Sequence, residues 1–556
     1  MEKKRNTFFH EELAPSHMPK RIKKPPKKNV KFRQEMKPVK LSREMIVRNS
    51  IWKSFMEYIV NSSLSGVRFL VDGTNNTLDK FVWCVIISSA IFGFFYFVNN
   101  AIETQNEQPA YMTLEDASLP INEILFPAIA ICNHNRIKKS AVQRLVDILY
   151  SYENTTFPSK KELFEIVTLY GYLYDFSYSK RSEIMRFNTY LEKVEDIVDE
   201  AENIKRQNIS KLLLSLTPTC EETLIKCSWK GMIRNCSSLF RTHITQFGFC
   251  CTFNYYNTEA GRLEKDPQDP IDNPYILENH EVGPFFGLTV AVNAHLDEYL
   301  YSTRQSYGFD VLFYDRYDYA DQTAGGLLHR LVSVGSQYDM WINPLTYYST
   351  PAIKRFSLDK RGCTFADEMQ EEFHNHYSLS NCLVRCRMRT IERLCQCVPF
   401  FLPRRSNVSA CTLEELYCLN KYSQKLLYVF PPKELPGLEI ERENSLNCPT
   451  CMADCSATKY NVVSNKLMHA QHSARATEFT RDLDLNDHNL SIIRIFYIRS
   501  RLPLYRVDVT FHWYELISNL GGLCGFFTGF SMMSLAEFFY FIFIRFSYIL
   551  TENLRR

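Results

Sequence analysis

Leu516-Ile-Ser-Asn-Leu-Gly-Gly-Leu-Cys-Gly-Phe-Phe-Thr-Gly-Phe-Ser-Met-Met-Ser-Leu-Ala-Glu-Phe-Phe-Tyr-Phe-Ile-Phe-Ile544 is the stretch on which the reading of this chain turns. At ~1.5 Å per residue a straight helix of this length would run roughly 44 Å. A bilayer's hydrocarbon core needs only about 30 Å. The segment, taken with its flanks as 512–545, must therefore tilt, bend or break, and Gly529-Phe530-Ser531 is where a break is expected. Glu537 lies inside the apolar run, where a charged side chain costs on the order of 3 kcal/mol by insertion scales unless it meets water or a partner. Gly521, Gly525 and Gly529 recur every fourth residue and leave one helix face nearly bare. Such a face suits close helix packing. Packing is the favoured reading of the segment alone; the rival is a pore, where small residues leave room for ions and unwound carbonyls replace a hydration shell. Ser518, Thr528, Ser531 and Ser534 add hydroxyls. By itself this segment is compatible with both readings.

Working outward, a second apolar run without charge, Phe81 to Val98, is just long enough to span. It starts too far along the chain, and lacks the flanks, for a cleaved signal peptide. Two spans put both termini on one side. Residues 1–50 carry fifteen Lys/Arg against five Glu, including Lys20-Arg-Ile-Lys-Lys-Pro-Pro-Lys-Lys28, and place that side in the cytoplasm. The basic arm could also attract anionic lipid. It has no aromatic interleaving of a nucleic-acid binder, so no nucleic-acid partner is expected. The organisation that follows is a cytoplasmic basic tail with a pre-membrane segment (1–77), a first span (78–99), an extracellular domain (100–511), a second span (512–545) and a cytoplasmic end (546–556).

Cysteine placement tests this topology independently. Of 18 cysteines, Cys84 and Cys524 fall inside the spans, and none lies in either tail. The other sixteen lie between the spans: Cys132, Cys220, Cys227, Cys236, Cys250, Cys251, Cys363, Cys382, Cys386, Cys395, Cys397, Cys411, Cys418, Cys448, Cys451 and Cys455. An even number in an oxidising compartment reads as a disulfide framework. Zinc is the rival at Cys395-Gln-Cys397 and at Cys448 to Cys455. Sequons at Asn154, Asn208, Asn407 and Asn489 in the same region favour disulfides, since glycosylation belongs to the secreted side.

Along this domain, Phe126–Cys132 reads as a buried strand and residues 140–216 as helical, with Val142, Leu145, Val146 and Leu149 on one face. Adjacent Cys250 and Cys251 should staple different neighbours. Asp266, Asp269 and Asp272 beside prolines read as a solvated turn rather than a cation site. Residues 283–293 and 308–314 read as strands, Tyr460–Ser464 as a returning strand, and 494–509 as one alternating stretch leading into the second span. Cys382 and Cys386, one helical turn apart, staple the side of a helix. The domain is therefore expected to be α+β and disulfide-rich, without internal repeats.

Several stretches in order resemble the degenerin/epithelial sodium channel family, most closely its arthropod pickpocket branch. They are Phe126-Pro-Ala-Ile-Ala-Ile-Cys-Asn-His-Asn135, Cys227-Ser-Trp-Lys-Gly231 with Cys250-Cys-Thr-Phe-Asn254, Cys382-x3-Cys386 with Cys395-x-Cys397-Val-Pro-Phe-x-x-Pro403, and Cys451-x3-Cys455-x4-Tyr460. The last is Gly521-Gly522 followed by Gly529-Phe-Ser531-x-x-Ser534-x-x-Glu537. The resemblance implies two transmembrane helices flanking a large disulfide-rich α+β extracellular domain. It also implies a trimeric, voltage-independent, sodium-preferring, amiloride-blocked channel in the plasma membrane, formed with identical or related subunits. It turns the balance on the last segment from packing to pore. Gly529, Phe530 and Ser531 take the selectivity-filter position and Ser518 the gating position. Gly525 is implied in amiloride block, and Gly522, Ser534 and Glu537 line the pore. Where the family has a His-Gly pair before the first span, this sequence has Ser65-Gly66, which keeps a small hydroxylated residue but loses the imidazole.

No catalytic motif is present, no metal ligand set or cofactor is expected, and the permeant species is Na+. A non-conducting accessory subunit or adhesive surface receptor of the same architecture is the alternative. ATP-gated two-span channels share the topology but not these motifs. The architecture admits an extracellular ligand or mechanical force as the opening stimulus, and His512 or the Asp-rich loops as proton sensors.

Overall fold

The computed structural model describes residues 43–71, 76–152, 159–175, 182, 184–187, 190–191, 194, 209–256, 277–369, 377–403, 408–430, 436–469 and 477–555. The chain divides into two compact units, one formed by residues up to Val98 with Ser518–Arg556, the other by Asn99–Ile517. The first three helices are α1 (Arg43–Asn61), α2 (Val67–Val71) and α3 (Thr77–Glu107). α3 outruns the apolar stretch at both ends because nothing in its flanks breaks a helix, and the Thr104 hydroxyl donates back to the Asn100 carbonyl.

The larger unit is α+β. The strands of its two large sheets are β1 (Ala110–Pro120), β2 (Ala128–Asn133), β3 (Leu224–Trp229), β4 (Met232–Arg234), β5 (Phe240–Thr245), β6 (Gly248–Phe253) and β7 (Leu288–Asn293). Then come β8 (Gly308–Tyr314), β9 (Leu328–Ser333), β10 (Ser336–Ser349), β11 (Ala457–Met468), β12 (Leu490–Tyr497) and β13 (Arg501–Val509). The described residues form an eight-stranded sheet in the order β1-β13-β10-β12-β7-β3-β4, with β11 pairing β10, and a five-stranded sheet in the order β9-β8-β2-β6-β5. Phe126, Ile129, Ile131, Phe253, Phe309, Val290 and Ile493 pack in the core these sheets share.

The alternating stretch 494–509 is two strands rather than one, because β10 runs parallel to both in succession, Gln337–Ile342 against Ile492–Tyr497 and Thr346–Ser349 against Leu504–Val507. The chain must step sideways between them, and the Ser500 carbonyl there accepts from the Ile121 N–H at 3.1 Å. β10 itself, the long strand both lean on, was not anticipated. In the stretch 283–293 only Leu288–Asn293 is strand.

Helices α4 (Lys139–Tyr152), α5 (Lys160–Thr168) and α6 (Ile209–Leu216) bury Val142, Val146, Leu149, Ile166 and Leu213 in one cluster with α7 (Leu379–Cys395). A Ser159/Glu162 capping box starts α5. All sixteen extramembrane cysteines are paired: 132–250, 220–251, 227–236, 363–455, 382–451, 386–448, 395–418 and 397–411. The zinc alternative is thereby closed, and no group of three metal-ligating side chains is assembled among the described residues. Cys250 and Cys251 staple different partners, and two bridges fasten one side of α7.

A buried charge cluster sits on the five-stranded sheet. Asp310, fully buried on β8, accepts from Arg136 Nη2 at 2.9 Å, Arg304 Nε at 3.0 Å and His329 Nε2 at 2.8 Å. Burial opposes the Asp310 carboxylate, but its hydrogen bonds to His134 and His329 and the Arg136 charge hold it well below the usual range.

The chain ends in α8 (Trp513–Thr528), α9 (Met532–Phe539), a π-helical turn (Tyr540–Arg545) and α10 (Phe546–Arg555). The helical segment does not stop at Arg545. Arg545 Nε pairs with Glu57 Oε2 at 2.7 Å, and Ile549 beyond it is buried. Among the described residues two stretches of helix, Thr77–Glu107 and Met532–Arg555, are long and apolar enough to cross a membrane.

Candidate pore site

The break between α8 and α9 is built from local chemistry. Gly529 closes α8 in the left-handed region at φ +69°, its N–H still donating to the Gly525 carbonyl at 3.0 Å. Ser531 opens α9 as an N-cap in a reciprocal pair with Ser534. Its Oγ accepts the Ser534 N–H at 3.3 Å while Ser534 Oγ accepts the Ser531 N–H at 3.1 Å. A helix stop and a helix start two residues apart set Gly529, Phe530 and Ser531 between the helices, with only the Gly529 N–H bonded back into α8 and the Ser531 carbonyl bonded forward into α9.

The segment after α1 is pinned against this break. Ser65 N–H donates to the Thr528 carbonyl at 3.1 Å. A Cβ on Gly529 would stand 2.2 Å from Ser65 Oγ, so the absence of a side chain there is a steric requirement as well as a conformational one. Gly66, at φ +82°, turns the chain into α2, and a Cβ there would stand 3.0 Å from the Trp83 ring. Ser63 makes two further links, its N–H donating to Glu537 Oε2 at 3.0 Å and its Oγ lying 2.6 Å from Ser534 Oγ. The intramembrane carboxylate thus has a partner from its own chain, and Ser534 is fully buried. Lower down, Ser54 Oγ donates to the Phe541 carbonyl at 3.0 Å and Asn553 Nδ2 to Ser50 Oγ at 2.8 Å.

Ser518, Gly522, Gly525 and Gly529 lie on one stripe of α8 at spacings of four, three and four residues. Nothing of the chain comes within 4 Å of a Cβ built at Gly521 or Gly522, and at Gly525 only the Phe530 carbonyl does, at 3.9 Å. The bare face is uncovered by its own chain. The opposite side of α8 is occupied, with Phe527 packing at Gly93 and stacking on Phe97 at 5.7 Å.

Over residues 58–541 the chain matches the family described as amiloride-sensitive sodium channel. The chain belongs to that family. Among its relatives, sodium channel protein Nach of Drosophila ananassae is 24% identical over 91% of this chain and 88% of its own length. Pickpocket protein 28 of Drosophila melanogaster is 23% identical over 92% and 81%. The bile acid-sensitive ion channel of Mus musculus is 23% identical over 89% and 88%. The chain is a degenerin/epithelial sodium channel protein of the pickpocket branch, an ion channel and not an enzyme, in a family whose members assemble as multimers with related subunits.

The structure brings Ser65, Gly66, Gly529, Phe530, Ser531, Ser534 and Glu537 together, and leaves Ser518, Gly522 and Gly525 on the open stripe. Sequence reasoning missed Ser63 as the partner of Glu537 and Glu57 as the partner of Arg545. The signal was present, since a carboxylate in an apolar run calls for a donor. Asn489, of the four sequons, engages Leu296 N–H through Oδ1 at 3.2 Å. Asn154, Asn208 and Asn407 lie outside the described residues, as do Asp266, Asp269 and Asp272. His512 stacks on Tyr514 at 5.3 Å with Nε2 3.6 Å from Asp508. Burial works against the Asp508 carboxylate, yet the Thr350 hydroxyl and Val509 N–H hold it below its ordinary range.

Proposed function

We propose that this chain is a pore-forming subunit of a voltage-independent, sodium-selective, amiloride-blocked channel, assembled as a homo- or heterotrimer in the plasma membrane. The observation that carries this reading is the pinned break. Gly529, Phe530 and Ser531 are held out of the helix by their own caps and by Ser65, directly below a helix stripe that the chain leaves bare. Three copies turning that stripe toward a shared axis would line a path with Ser518, Gly522 and Gly525, offer main-chain oxygens to a partly dehydrated Na+ at the break, and set Ser534 and Glu537 beneath it. In this reading 1–77 and 546–556 are cytoplasmic, 78–99 and 512–545 span the bilayer, and 100–511 is extracellular.

The opening stimulus acts on the ectodomain. A cavity of about 370 Å³ there is lined by Asp315, Asp318, Asp454 and Lys459 with Tyr347 and Tyr460, a polar lining with groups for an extracellular ligand to engage. The test is recording from cells expressing the full chain, alone and with related subunits, with sodium exchanged for potassium and with amiloride added. A sodium-preferring, amiloride-blocked current whose selectivity falls in Ser531→Ala is the expected result. Surface protein that assembles with relatives yet contributes nothing to selectivity would make it an accessory subunit instead.

A further inference from the structure

The membrane unit contains a cavity of about 400 Å³ behind the break. α3 turns Trp83, Ile87, Ala90 and Phe94 toward it, a stripe at helical spacing, and these four are half-buried. On the other faces of the same helix Phe81 is 70% exposed and Phe92 74%. Phe527 and Phe530 close the far wall, with Ser65 at the edge. The Thr528 hydroxyl is turned back onto the Cys524 carbonyl at 2.7 Å, and the Thr528 carbonyl is taken by Ser65 N–H. A water needs two to four polar partners and finds a wall of hydrocarbon. An apolar cavity of only ~150 Å³ stays dry and takes up benzene. Left empty, a space this size would forfeit dispersion contacts along its whole lining.

α3 is a membrane-crossing helix, so the medium at the mouth of the cavity is lipid hydrocarbon rather than water. We infer that the cavity seats one acyl chain of a bilayer phospholipid, lodged against Phe530 and the Ser65 loop on the side of α8 opposite its bare stripe. The occupant is thereby in contact with the residues that hold the break. The inference rests on the two membrane-crossing helices and is independent of which ion the channel prefers.

The test uses the full-length chain in vesicles of phosphatidylcholine bearing a diazirine midway along one acyl chain, irradiated and mapped by mass spectrometry. Cross-links are expected on Trp83, Ile87 and Phe527 as well as on outward-facing Phe92. Ala90→Trp, which fills the cavity, should lower labelling of Phe527 about tenfold, equivalent to about 1.4 kcal/mol, with Phe92 unchanged. Ile87→Ala, which widens the cavity without adding bulk, should raise labelling of Phe527 and guards against misfolding of the tryptophan variant. Labelling confined to Phe92, or Phe527 labelling indifferent to both substitutions, overturns the inference. A side chain from a second copy filling the seat would give the first of these results.

Discussion

The two units of this protein are built inside out relative to each other. In the larger one, Phe126, Phe253, Phe309 and Phe313 are buried to 1% exposure or less, and sixteen cysteines form eight cross-links, some of them within the same core. In the membrane unit Phe81, Phe92 and Phe95 are exposed, while Ser50, Ser54 and Ser534 are buried along with Ile549. The difference follows from the solvent. Water drives apolar surface inward. Lipid tails leave no such force between helices, so these associate through close packing and hydrogen bonds, and small hydroxyls take the interior. Both units nevertheless give a carboxylate donors: the buried Asp310 has arginines and histidines, and the half-buried Glu537 the Ser63 N–H.

The contrast breaks hardest at those charges. Asp310→Ala leaves Arg136 buried and unpaired in the ectodomain, and should cost about 3–5 kcal/mol, enough to keep the protein from the cell surface. Normal surface delivery would mean that the cluster is dispensable. Gly529→Ala should act on the membrane unit alone. The left-handed backbone costs a side chain about 1–2 kcal/mol, and the new Cβ collides with Ser65. Disulfide content and surface delivery should persist while the sodium-to-potassium permeability ratio falls toward unity; an unchanged ratio removes the break from the selectivity mechanism.

A pH-dependent difference of similar size sharpens the ectodomain side. Burial above all pushes the Asp454 carboxyl from 3.8 up to about 6. A carboxyl raised on folding opposes the native state once ionised, so this penalty is absent well below pH 4 and complete above about pH 7, where it reaches roughly 3 kcal/mol. Asp454→Asn, which keeps the Oδ1 that accepts the Leu379 N–H, should raise the unfolding temperature at pH 7.5 and by only about a third as much at pH 4.5. Equal effects at both pH values would point to another cause. The smallest effect belongs to the lipid-facing surface. Phe92→Leu exchanges one apolar group for another against hydrocarbon and should alter thermal stability by less than about 0.5 kcal/mol. Phe253→Ala in the ectodomain core should cost about 3–5 kcal/mol.

Local features were readable in advance. A glycine able to close one helix and a serine able to cap the next stand two positions apart, and neither needs a distant partner to act. Cysteine number and placement announced disulfides, and the apolar runs announced the spans. What escaped were the long-range pairings. β10 carries a period-two pattern, Tyr338, Met340 and Ile342 inward, but Asp339 and Pro344 interrupt its appearance as a strand. Asp339 belongs there only because Arg494 on the neighbouring strand meets it at 2.5 Å.

The sequence by itself determined the two-span plan, the oxidised α+β domain, the family and the position of the break, because periodicity, composition and capping are properties of short stretches. Tertiary structure alone decided which cysteine meets which, and that one run of alternating residues becomes two strands. It also decided that Ser63 and Ser65, more than four hundred residues away, hold Glu537 and Gly529. Those are contacts between surfaces that exist only once the chain has closed its longest loops, and no local preference encodes them.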